Sequence, residues 1–159
     1  MNKKLTIGIV LAFLIPVIVY ASSPLFFDTT IDEEIPSSAK INTLQTQDAE
    51  TMQPIALALG IFVGVGDGIH NAEGTAKVLS IDDAQFLRLE DFKATNGPDL
   101  HVYLATDEKA TDYVDLGSLK ANIGNQNYRI PEGTDLSKYD TVLVWCKQFS
   151  VLFGHANLS

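Results

Sequence analysis

Thr141-Val142-Leu143-Val144-Trp145-Cys146-Lys147 decides the fold. In an extended chain the side chains alternate, so Val142, Val144 and Cys146 share one face while Leu143 and Trp145 share the other. A strand apolar on both faces is usually central, covered above and below. The same alternation runs through Leu100-His101-Val102-Tyr103-Leu104, with Leu100, Val102 and Leu104 on one side and His101 facing outward. In Phe86-Leu87-Arg88-Leu89-Glu90 it sets Leu87 and Leu89 against Arg88 and Glu90. Working outward, strands are expected over 57–63, 75–81, 86–92, 100–106, 113–119, 128–131, 141–148 and 151–153, separated by clusters of Gly, Asn, Asp and Pro. No long amphipathic helix interrupts them. The expectation is an all-β single domain over 56–159, an antiparallel β-sandwich or barrel-like fold with a core large enough to need no disulfide.

The chain has 159 residues, 11 basic and 20 acidic, and a net charge of −9. Nucleic acid is excluded as a partner, because phosphate neutralisation needs clustered Lys and Arg and here they are few and scattered. The single cysteine, Cys146, excludes an intrachain disulfide, a four-cysteine zinc site and a Cys-x-x-Cys redox pair.

Residues 1–21 read as an export segment, with Lys3 and Lys4 ahead of an uncharged apolar run from Leu5 to Ala21. Val19-Tyr20-Ala21 offers small residues where a signal peptidase reads. The length of the run leaves cleavage after Ala21 and retention as a transmembrane anchor both open. Either route puts the rest outside the cytoplasm, secreted or membrane-anchored at the cell surface through the N-terminal segment. Without this segment the chain loses two basic and no acidic residues, which takes its net charge from −9 to −11. Residues 22–55 are rich in Ser, Thr, Gln and acidic side chains and lack sustained periodicity, as expected of a flexible acidic linker.

Several motifs invite chemistry. Gly60 to Gly74 is rich in glycine, but it has no Gly-Lys-Ser or Gly-Lys-Thr and no following helix to hold a phosphate. A turn between strands is the expectation. Asn96-Gly97-Pro98-Asp99 groups four turn-forming residue types, and Asp99 stands where a carboxylate would project at the start of the next strand. No Gly-x-Ser-x-Gly elbow is present, and no catalytic constellation emerges. Cys146 is either a small buried hydrophobe or a soft ligand or redox thiol, since thiolate sulfur donates well to copper and haem iron. A blue-copper site wants a His and a Met close after the cysteine. Here His155 lies nine residues on and no Met follows, so copper is the weaker candidate.

From about Gly60 onward the chain resembles the DM-thirteen family, also called the electron-transfer or Skeletor-type domain. The matching residues are Gly60-Ile61-Phe62, His70 and Gly74 before Thr75-Ala76-Lys77-Val78, Leu87 to Phe92, Asn96 to Leu104, Leu116 to Pro131 and Val144 to Gly154. The resemblance implies a redox-related role for Cys146, as a naked thiol or as ligand to a prosthetic group such as haem. It makes His70 the second candidate, with Trp145, Phe149, Lys147 and Asp99 as supporting residues. An electron-transfer module of this kind needs a redox partner protein, which the sequence does not identify. The alternative is a non-catalytic surface binding or adhesion module in which Cys146 is only packed and exposed polar loops around Asn122 to Asn127 make the contacts.

Overall fold

Alternating apolar runs become strands where one face can be buried, and the computed structural model, which describes residues 12–15, 27–36, 54–81 and 83–159, is all-β on this principle. Its strands are β1 (Thr30–Asp32), β2 (Ile55–Ile61), β3 (Val63–Gly64), β4 (Ala72–Ile81) and β5 (Ala84–Ala94), then β6 (Leu100–Ala105), β7 (Tyr113–Ser118), β8 (Ile123–Arg129), β9 (Thr141–Cys146) and β10 (Val151–Asn157). One sheet has the order β1-β8-β5-β4-β2 and the other β3-β10-β9-β6-β7. All pairings are antiparallel except β1 with β8.

The two sheets face each other across one core. Leu87, Leu89 and Val78 come from the first sheet, and Val102, Leu104, Val142, Val144 and Cys146 from the second, all buried. Full burial of a Val or Leu side chain contributes about 1.5–3 kcal/mol each. β9 lies between β6 and β10, and Val142, Val144 and Cys146 point inward as the alternation requires. Its other face is also buried, with Leu143, Tyr103 and Ala105 packed beneath Ala110, Trp145 and Leu152. Ala110 belongs to the β6–β7 loop, which folds back over the sheet. There Asp107 Oδ1 accepts the Lys109 and Thr111 N–H groups, and Ala110 takes a φ of 52°.

β2 and β3 are nearly continuous. Phe62, between them, turns its ring into the core, so one stretch of chain passes from the first sheet to the second. Ser159 completes this corner by exchanging both backbone hydrogen bonds with Leu59, at 3.1 and 3.0 Å.

Two expectations give way. Thr30–Asp32, inside the segment read as a linker, is an edge strand, and Phe27–Pro36 lies against the domain. Polar contacts far apart in sequence hold it. The Thr29 N–H donates to Asn122 Oδ1 at 2.6 Å, Lys120 Nζ donates to Glu33, and the Arg88 guanidinium donates to the Glu33 carbonyl at 2.9 Å. Asn122 to Asn127 is not an exposed loop, because Ile123–Arg129 is β8, between β1 and β5, and Asn122 and Gln126 are buried. Gln126 is satisfied by the backbone of Ala121 and by the Tyr128 hydroxyl. The export segment, 1–21, lies outside the described residues except for 12–15, and so does the linker between 37 and 53. Among the described residues no helix is long and apolar enough to cross a membrane.

Candidate functional site

β9 presents its two distinctive residues to opposite sides of one sheet. Cys146 points into the core and is 1% exposed. Its ladder partners are Leu100 on β6 and Val151 on β10, and its sulfur makes no hydrogen bond among the described residues. His70 stands at the end of the glycine-rich turn, where Gly66 and Gly68 take positive φ. Its ring lies edge-on to Phe153 at 4.5 Å between centroids, and Phe153 belongs to the core cluster that holds Cys146. His70 Nδ1 is bound to Asp67 Oδ2 at 2.6 Å. The backbone N–H of His70, then its ring, then the Ile69 N–H hold the Asp67 carboxyl down to about 2.

Trp145 lies on the outer face. It stacks near Tyr103, with 6.5 Å between centroids, and Tyr103 stacks closely on Tyr113 at 4.2 Å and 12°. Beside these rings His101, only 12% exposed, sits between two carboxylates. Nδ1 is 2.9 Å from Asp115 Oδ1, and Nε2 is 3.2 Å from Asp99 Oδ1. Lys147 Nζ donates to Asp115 Oδ2 at 3.1 Å, and the Lys147 N–H donates to the Asp99 carbonyl. Burial opposes ionisation of Asp115, yet hydrogen bonds from His101, the Gly117 N–H and Lys147 outweigh it and lower its pKa. Burial first, and then the Asp115 charge, push the Tyr103 hydroxyl upward.

The supporting residues therefore divide. Lys147 and Asp99 meet around His101 and Asp115, and Trp145, the ladder partner of His101, lies on the same outer face, away from the core that holds Cys146. Phe149 belongs to the β9–β10 turn, 63% exposed. Sequence reasoning missed Tyr103, Tyr113 and Asp115. The outward alternation of Tyr103 with His101 was the available signal, and the antiparallel pairing of β6 with β9 and β7 completes the cluster.

A family model described as electron transfer DM13 matches residues 65–158, more than half of the chain. The chain belongs to the electron transfer DM13 family. No curated protein and no solved structure matches it. The family description marks the DM13 domain as an electron-transfer-related module.

A haem liganded by Cys146 does not fit this DM13 domain. The sulfur is closely packed in the core, and the surface clefts of about 250, 360 and 410 Å³ are lined by other residues. The first of these, at the Asn96–Asp99 turn, is lined by Leu100, the ladder partner of Cys146, and not by Cys146. Copper fares no better, since among the described residues no group of three or more His, Cys, Asp or Glu side chains is placed to hold a metal ion.

Proposed function

We propose that this chain is an electron-transfer module exported by residues 1–21, in which Cys146 is a redox thiol and Trp145 connects it to the surface. What carries the reading is the placement of two oxidisable side chains on consecutive residues of a central strand. One lies in the dry core, and the other joins a stacked aromatic group that reaches solvent at Tyr113. Close packing around the sulfur favours the thiol over a prosthetic-group ligand. An external one-electron acceptor takes an electron from the Trp145 indole. Cys146 refills it and becomes a thiyl radical, its S–H proton passing to solvent when the exposed Lys147–Ser150 turn beside it opens, and a reducing partner protein returns the electron while solvent returns the proton.

Trp145 is the sole tryptophan, so an indole radical formed by flash oxidation is assignable to it. The expected result is a radical that decays quickly in the natural chain and more slowly in Cys146→Ser. Unchanged decay in Cys146→Ser, with slower decay in Tyr113→Phe, would move the function to the tyrosines and overturn the role of Cys146. A visible absorption band after production with haem, lost in Cys146→Ala, would restore the ligand role.

The burial of Cys146 without a polar partner among the described residues favours a second reading, a surface binding module in which the thiol only packs. Under it, Cys146→Ala alters stability and leaves partner binding intact.

A further inference from the structure

Asn157-Leu158-Ser159 is the one place in the chain where an asparagine is followed, two residues on, by Ser or Thr. In exported chains this triplet is the acceptor of N-linked carbohydrate, with the asparagine amide supplying the nitrogen. Triplets this short also arise by chance, so the use the fold makes of the asparagine is what decides.

The amide nitrogens of Asn96, Asn122, Asn125 and Asn127 are spent inside the fold. Asn96 and Asn122 donate from Nδ2 to Asp28, Asn125 to Asp32, and Asn127 to the Glu34 carbonyl. Asn157, the last residue of β10, is exposed, and its Nδ2 has no hydrogen-bond partner among the described residues. Its Oδ1 accepts from the Thr141 hydroxyl at 3.3 Å, which leaves the nitrogen free. Across the ladder β10 pairs Gly154 with Gly64 and His155 with Val63, and Ser159 exchanges backbone bonds with Leu59. The same register sets Ile61 opposite Asn157, an exposed side chain with no polar atom to engage the amide. Backbone contacts hold the rest of the triplet. The Leu158 N–H donates to the Asp140 carbonyl at 2.8 Å, and the Ser159 N–H donates to the Leu59 carbonyl at 3.0 Å. The fold thus uses the backbone of the triplet and leaves the Asn157 and Ser159 side chains in solvent.

We infer that Asn157 is a site of N-linked glycosylation. The inference rests on the export of the chain by residues 1–21 proposed above, because the sugar donor is a lipid-linked oligosaccharide beyond the cytoplasm. A bond forms between Nδ2 and the anomeric carbon of the first sugar, and the bond from that carbon to the lipid phosphate breaks. The lipid phosphate leaves, and one Nδ2 proton passes to a base of the transferase. A sugar at this position is accommodated without rearrangement of the core, since Ala156 points inward and Asn157 away from it.

The test takes the full chain from the cells that naturally produce it, cuts it with trypsin and weighs the peptide that begins at Gln148. It should be heavier than its sequence by an oligosaccharide, and fragmentation should place the added mass on Asn157. Asn157→Gln and Ser159→Ala should each abolish the added mass, and Ser159→Thr should keep it. Labelling intact cells with a membrane-impermeant amine reagent reports export separately. A bare peptide from chain that the reagent reaches would overturn the glycosylation and leave export standing. A bare peptide from chain that it does not reach would overturn both. Added mass that survives Ser159→Ala would overturn the assignment to this triplet.

Discussion

Replacing Cys146 by serine exchanges one sulfur for one oxygen and leaves a hydroxyl in the core with nothing to bond. Cys146 is 1% exposed, packs among core side chains and has no hydrogen-bond partner among the described residues. Cys146→Ala loses only packing, and at a site this closely surrounded the cost is about 1–2 kcal/mol. Cys146→Ser restores volume but buries an unsatisfied polar group, which costs about 1–3 kcal/mol and makes it no better than alanine. At about 4 °C of melting temperature per kcal/mol for a domain of this size, both variants should melt visibly lower. Urea titration should show lower midpoints with an unchanged slope, because the surface exposed on unfolding is the same. Native thiol labelling supplies an independent check and should be slow in folded protein and fast in urea. A serine variant as stable as the natural chain, or rapid labelling without denaturant, would refute the account of a dry, closely packed thiol.

Gly124 takes a φ of 105°, and a Cβ there would lie 1.9 Å from the Ile31 carbonyl oxygen. Gly124→Ala should therefore release β1, at a cost of about 1–3 kcal/mol, with amide exchange rising at Ile31 and Asp32 while the β9 amides stay protected. Glu33, Glu90 and Asp115 all have carboxyl groups lowered in the fold from 4.5, 4.5 and 3.8 respectively. Burial opposes each shift, and hydrogen bonds from Lys120 and Asn127, from Lys77 and Arg88, and from His101, Gly117 and Lys147 overcome it. The unfolded chain binds these protons first, so their stabilisation is complete above those ordinary values and is lost as pH falls through the lower folded ones. Urea midpoints should hold at neutral pH and drop in acid below about pH 4, and the drop should be shallower in Glu33→Gln. Lys138 pairs with Asp112 on an exposed surface, so Lys138→Met should change the melting temperature by no more than the error of the measurement.

The strands legible in the sequence were those whose own side chains alternate. β5, β6 and β9 carry their inward faces as Leu and Val, so period 2 identifies them without knowledge of their neighbours. β8 escaped because Ile123-Gly124-Asn125-Gln126-Asn127 reads as a polar loop. It is buried only because Gln126 finds its partners within a few residues while Asn127 and Asn125 bind Glu33 and Asp32, more than ninety positions earlier. β1 was hidden for the same reason, since three residues have no period and their partners lie on the far side of the chain. At the site, alternation separated Cys146 from Trp145 correctly. The grouping of Asp99, His101, Asp115 and Lys147 depends on β6 lying between β9 and β7, which is a property of strand order and leaves no local mark.

β1 and β2 occupy the two opposite edges of the first sheet, and residues 33–54 connect them. Docking of β1 is thus a ring closure, in which the domain binds a segment of its own chain. Segment and site share one chain, so a free peptide of residues 27–36 competes against an intramolecular contact that dilution of the protein does not weaken. A pull applied at Phe27 meets β1 before it meets any other strand, and three residues of parallel pairing with a few polar contacts yield first. No residue of β1 belongs to the core of the sandwich, so release of β1 is expected to leave that core in place.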